Sequence, residues 1–164
     1  MEDQDFHIRD LTIHPFSIPH DAAQPVGYRV ECEDKAVGIA TDLGKYNDYI
    51  VDNFTKSGCS FAGGNHDIRM LQVGSYPYYL KQRILGDRGT SFPMKMQESC
   101  FAGFLHDDMK AVFSLDILSK ENNYEALAYE TVCSEVTLGD NPYRSKDFQI
   151  QVAKRDSISD VVVL

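Results

Sequence analysis

The sequence predicts a layered α/β fold, and three observations predict it. Short runs of strand-forming residues fill the first third, amphipathic stretches dominate from the middle onward, and brief apolar runs recur between them. A sheet buries one face and a helix buries one stripe, so helices laid against a sheet satisfy both. The chain has 164 residues, enough for a single domain with its own core, and it is read as one domain over 1–164.

The elements follow in order. Asp5–Ile8 and Leu11–Ile18 are rich in strand formers, and Pro19 ends the second run. Val26–Glu33 and Ala36–Thr41 read as a hairpin with Asp34-Lys35 as its turn. Tyr46–Lys56 reads as a helix stopped by Ser57-Gly58, and Cys59–Ala62 as a short buried strand. Tyr76–Leu85 and Met94–His106 are expected helices, with Pro77 and Pro93 near their starts. Ala111–Leu115 reads as a strand. Asn122–Leu138 carries the clearest helical period: Tyr124, Leu127, Ala128, Val132 and Val136 share a stripe, and Gly139 follows as a stop. Phe148–Val152 alternates as a last strand.

Composition narrows the function. The net charge of −9 argues mildly against an unassisted nucleic-acid binder, since neutralising phosphates with Lys and Arg supplies most non-specific affinity. No apolar run approaches the roughly 20 residues of a membrane span. The acidic start, Met1-Glu2-Asp3-Gln4-Asp5, does not resemble a signal peptide, so a cytoplasmic location is expected. Cys32, Cys59, Cys100 and Cys133 form no CxxC pair and are read as reduced, mostly buried residues rather than a zinc site.

Two residues carry the chemistry. His20 follows the apolar run ending at Ile18-Pro19, and alone it reads as a loop histidine. Asp42 closes a strand before Gly44, and alone it reads as the N-cap of the helix near Tyr46. Together they say more. Asp42 comes 22 positions after His20, and the intervening hairpin returns the chain to the edge it left. One imidazole and one carboxylate are half of a typical divalent-metal site, able to support attack by activated water on phosphorus or a carbonyl carbon.

The residues around this pair resemble a known family. His20-Asp21-Ala22, Pro25-Val26-Gly27-Tyr28 and Ala40-Thr41-Asp42-Leu43-Gly44 are similar to the later metal motifs of the WalJ (YycJ) type of metallo-β-lactamase-fold hydrolases. The likeness continues through Asn65-His66-Asp67, Tyr76–Leu85, Leu118-Ser119-Lys120-Glu121-Asn122-Asn123, Gly139–Tyr143 and Val152–Asp156. It covers nearly the whole chain, and Leu118–Asn123 is its most specific piece. The resemblance implies the C-terminal portion of an αββα sandwich and a metal-dependent phosphodiesterase or exonuclease activity. It implies a divalent ion, zinc or manganese, with His20 as a terminal ligand and Asp42 as a bridging one. It also implies contacts to substrate or to the ligands from Asn65, His66, Asp67, Lys120 and Asn122, with a helix N-terminus capped by Asn65 as the equal alternative for the first three.

The departures matter equally. The family's HxHxDH motif has no counterpart, and the chain is expected to lack that N-terminal portion. Ile117 and Thr90 stand where the family carries histidines, and Gly63-Gly64 replace its Glu and small residue. The expectation is a truncated or degenerate member, inactive alone; the alternatives are a non-catalytic interaction module or one half of a split metallohydrolase. Lys81, Arg83, Arg88 and Lys120 are read as a solvated face rather than a phosphate-facing patch, and Tyr76, Tyr78 and Tyr79 as core or interface packing rather than base-stacking platforms. A half sandwich should leave Leu11–Ile18, Phe61, Val112 and Phe113 partly uncovered, favouring a homo-oligomer or poor solubility unless a family N-terminal half is supplied.

Overall fold

Two close approaches to glycine explain how the sheet takes a helix on one face. A Cβ on Gly27 would lie 2.5 Å from the Phe16 ring, and a Cβ on Gly38 would lie 2.5 Å from the Phe54 ring. With only hydrogens at these positions, Phe16 and Phe54 settle onto the strands and meet edge to face, centroids 5.8 Å apart and planes at 80°. In the computed structural model the described residues are 4–55, 57–62, 68–86, 106, 108–114, 148–153 and 157–164.

Within them the elements are β1 (Phe6–Ile8), β2 (Leu11–Ser17), β3 (Val26–Cys32), β4 (Lys35–Ala40), α1 (Asp48–Phe54), β5 (Cys59–Ala62), α2 (Ile68–Val73), α3 (Tyr78–Leu85), β6 (Ala111–Ser114) and β7 (Gln149–Val152). The described strands form one seven-stranded sheet in chain order. β1 to β4 pair antiparallel, and β4 to β7 pair parallel. β2, β4, β5, β6 and β7 therefore all deliver their C-terminal ends to one edge.

Each face has its own apolar cluster. Phe16, Ile18, Ala40, Leu43, Ile50, Phe54, Met109 and Val112 pack under α1. On the opposite face Cys59, Ala111 and Phe113 pack with Val37, Phe61, Val162 and Leu164. Phe61 and Phe113 stack with centroids 4.5 Å apart. Alternation along β6 sends Val112 to the first face and its neighbours to the second.

The expected α/β layering is observed, with several boundaries moved. The β3–β4 turn is Glu33-Asp34, not Asp34-Lys35, because Lys35 pairs with Cys32 and Glu33 takes the positive φ of 54°. Arg9 does the same between β1 and β2 with φ 57°. α1 starts at Asp48, where the Asn47 side chain accepts the Ile50 N–H at 3.1 Å. α3 starts at Tyr78 because Pro77 is extended, with ψ 145°. α2, six residues long, lies where the sequence offers a helix start after Asn65. Apart from His106, the expected helices Met94–His106 and Asn122–Leu138 lie outside the described residues.

The expectation of uncovered apolar residues is corrected in part. Ile13, Phe16, Ile18, Val112 and Phe113 are buried within the chain. β2 is also paired on both sides, so the described edge strands are β1 and β7 instead. The physical reason is that α1 covers one face while the last residues, through Val162 and Leu164, cover part of the other. No helix among the described residues is long and apolar enough to cross a membrane.

Candidate metal site

The β3–β4 hairpin sets the ends of β2 and β4 at the same edge of the sheet, as the spacing of His20 and Asp42 predicts. The two loops are then joined directly. Pro19 C=O accepts the Gly44 N–H at 2.7 Å, and within the His20 loop Ile18 N–H donates to Pro25 C=O at 3.1 Å. Ile18 and Leu43, one in each loop, are buried in the same cluster and anchor the segments carrying His20 and Asp42.

Asp42 is exposed, and its Oδ2 accepts a hydrogen bond from Thr41 Oγ1 at 2.8 Å. It does not cap α1; Asn47 does. The helix-cap reading of Asp42 is thereby set aside.

His20 is more enclosed. Its Nδ1 accepts the Ala22 N–H at 2.9 Å, and Asp21 Oδ1 lies 3.4 Å from the same nitrogen. Asp21 in turn binds Arg83 of α3, with Nε to Oδ2 at 2.5 Å. That hydrogen bond holds the Asp21 carboxyl below its ordinary range, against an opposing push from burial, and raises Arg83. A single loop thus collects an imidazole, a carboxylate and a guanidinium arriving from 62 positions away.

The donor set suits a divalent ion: imidazole nitrogen and carboxylate oxygen are the ligands such ions take from proteins. His20 can offer Nε2 once the ring proton sits on Nδ1, and Asp21 stands beside Nδ1 to receive it. Among the described residues no group of three or more His, Cys, Asp or Glu converges into a fuller site. Asn65, His66, Asp67, Lys120, Asn122, Thr90 and Ile117 lie outside the described residues.

The cationic residues of α3 are committed elsewhere. Lys81 Nζ donates to the carbonyls of Gln72 at 2.8 Å and Gly74 at 2.6 Å, closing the C-terminal end of α2. Arg83 is paired with Asp21 while remaining largely exposed, and Arg88 lies outside the described residues. Of the core-or-interface reading of the tyrosines, the core half fails for two of them: Tyr78 and Tyr79 are 74% and 72% exposed, and α3 buries none of its residues. What the sequence did not reveal is the Asp21–Arg83 pair. An arginine in a solvated-looking helix carries no mark of its distant partner.

Comparison with known proteins agrees with this architecture. No protein-family model matches the chain. It is 34% identical over 131 residues to the protein of Streptococcus pneumoniae serotype 2 named exodeoxyribonuclease WalJ, an alignment covering 80% of this chain and 48% of that one. The chain therefore spans about half the length of the curated relatives it matches. Among solved structures it resembles the metallo-β-lactamase-fold protein YhfI of Bacillus subtilis, with TM-score 0.60, 9% identity, and coverage of 93% of this chain and 50% of that one. It also resembles Zn(2+)-bound PqqB of Methylobacterium extorquens, with TM-score 0.57, 12% identity, and coverage of 92% and 48%. At such identities the structural likeness shows the metallo-β-lactamase fold, and the WalJ alignment shows that the chain is similar in sequence to about half of that protein.

Proposed function

We propose that this chain carries the C-terminal part of a divalent-metal site in a hydrolase that cuts phosphodiester bonds in nucleic acid. The observation that carries the reading is the Pro19–Gly44 bond, which ties the His20 loop to the Asp42 loop at one sheet edge. His20 would hold the ion through imidazole nitrogen and Asp42 through carboxylate oxygen. The ion, zinc or manganese, supplies Lewis-acid charge and activates water at neutral pH. The substrate class rests on the name of the WalJ relative. A net charge of −9 fits such a substrate only where cations screen it.

By itself the chain holds no tight dinuclear centre on this reading, because two protein ligands rarely retain zinc. Phosphodiesterase activity of the chain alone is then absent or very low, with Ile117 and Thr90 in place of the family's histidines. We place the protein in the cytoplasm, in keeping with free Cys32 and Cys59. The test pairs metal analysis after dialysis with an assay on linear DNA and manganese, with and without the separately expressed N-terminal half of a WalJ relative. The reading expects no tightly bound pair of ions and negligible turnover alone. Two retained ions, or turnover by the chain alone that Asp42→Ala abolishes, would contradict it.

A second reading has its own observation. Ile68, Val73, Tyr78, Tyr79 and Leu85 expose apolar surface on α2 and α3, as an interaction module or a homo-oligomer interface would. Light scattering across concentrations separates a stable monomer from these alternatives.

A further inference from the structure

The Asp21–Arg83 pair has a role that rests on the assignment of His20 as a ligand and goes beyond it. A backbone N–H can only donate. Since Ala22 N–H points at His20 Nδ1 from 2.9 Å, Nδ1 holds the lone pair and the neutral ring carries its proton on Nε2. In that state Nε2 is a donor and offers nothing to a cation. Ligation through Nε2 requires the proton on Nδ1, and an Nδ1–H requires an acceptor.

Asp21 Oδ1 stands 3.4 Å from Nδ1, longer than an ordinary N–H···O bond, so it engages fully only when the ring releases Ala22 N–H. The other Asp21 oxygen is tied to Arg83 Nε on α3, which keeps the carboxylate from swinging into solvent. The Asp21 side chain is less exposed than that of Arg83, 27% against 56%, as expected of a clasp reaching in from outside the loop. Ligand histidines commonly give their second N–H to a carboxylate, which orients the ring and raises its basicity.

We infer that Asp21, held in place by Arg83, is the positioning residue that turns His20 from its Ala22-bonded state into an Nε2 ligand. The ring is neutral before and after: one proton arrives at Nδ1 from water, one leaves Nε2 to water, and the Ala22 N–H bond gives way to the Asp21 bond. α3 thereby becomes part of the site's construction although it supplies no ligand.

The test is long-range proton–nitrogen NMR of the His20 ring in the full chain, without metal and with zinc titrated to millimolar concentration. Metal-free protein should show the ring protonated at Nε2. Zinc should convert it to the Nδ1-protonated form. Asp21→Ala should leave the metal-free form unchanged and weaken the zinc effect at His20 by about 10- to 100-fold. Arg83→Gln should weaken it less, and Arg83→Lys should restore most of the loss. If Asp21→Ala proves unfolded by its amide spectrum, the Arg83→Gln and Arg83→Lys pair carries the same comparison. Equal zinc response in wild type and variants overturns the positioning role and leaves His20 a ligand. No response of His20 to zinc in the wild type removes the ligand assignment, and this inference with it.

Discussion

The two halves of the sheet are built differently. From β1 to β4, each strand returns on its neighbour, and the β1–β2 and β3–β4 turns have two residues each, at Arg9-Asp10 and Glu33-Asp34. From β4 to β7 the strands run parallel, so every link must cross back over the sheet. The antiparallel half sets its own register locally, through Gly27 and Gly38 beneath the two phenylalanine rings. The parallel half depends on what lies on its faces: α1 on one, and Val162 and Leu164 on the other. His20 follows β2, a strand of the first half, and Asp42 follows β4, the strand where the halves meet.

The largest expected effects fall where α1 grips the sheet. Phe54→Ala should cost about 3–5 kcal/mol, since a fully buried ring and its contact with Phe16 disappear. Gly38→Ala should cost about 1–3 kcal/mol, because the new methyl meets that ring. Urea melts would measure both. A neutral result at Gly38 would mean that α1 sits less tightly on the antiparallel half than the structure shows.

The other face should respond less. Leu164→Ala should cost about 1–2 kcal/mol, as its side chain covers the sheet only in part. Cys59 lies beneath the same cover, and burial pushes its thiol up to about 11. Because this folded-state pKa is raised above the ordinary thiol value of 9.0, its contribution to stability is complete below pH 9 and is lost as pH rises toward 11. Labelling with a thiol reagent at pH 8 should therefore be slow for Cys59 and faster in Leu164→Ala. Equal rates would show that the tail does not shield this face.

Smaller effects belong to the outer strands. His14 bridges Asp5 and Glu31 at 2.6 and 2.9 Å, and Arg29 reaches Glu31 at 2.8 Å. Burial pushes the Glu31 carboxyl up, but His14 and Arg29 together bring it below its ordinary value of 4.5. A lowered carboxylate stabilises above that value and loses its contribution as pH falls through its folded-state pKa. Glu31→Gln should flatten the acid side of the stability profile. An unchanged profile would show that the pairing does not contribute. Smallest of all, Glu33→Asn should raise stability by about 0.5 kcal/mol, since Asn tolerates positive φ better.

This division also explains what the sequence made legible. The antiparallel strands could be read within a residue or two from their runs and turns, because pairing there is local. That the loops carrying His20 and Asp42 lie side by side was legible for the same reason: one hairpin joins them. The Asp21–Arg83 clasp was not, since it depends on where α3 packs. Nor was the burial of Phe113, which depends on Val162 and Leu164 returning from the far end of the chain.

The central claim is that the His20 and Asp42 loops form one cation-binding edge. Titrating the chain with manganese while recording amide NMR signals tests it most directly, because the ion broadens nearby nuclei. Broadening centred together on residues 19–22 and 41–44 is expected. Broadening centred elsewhere, or on one loop without the other, would contradict it.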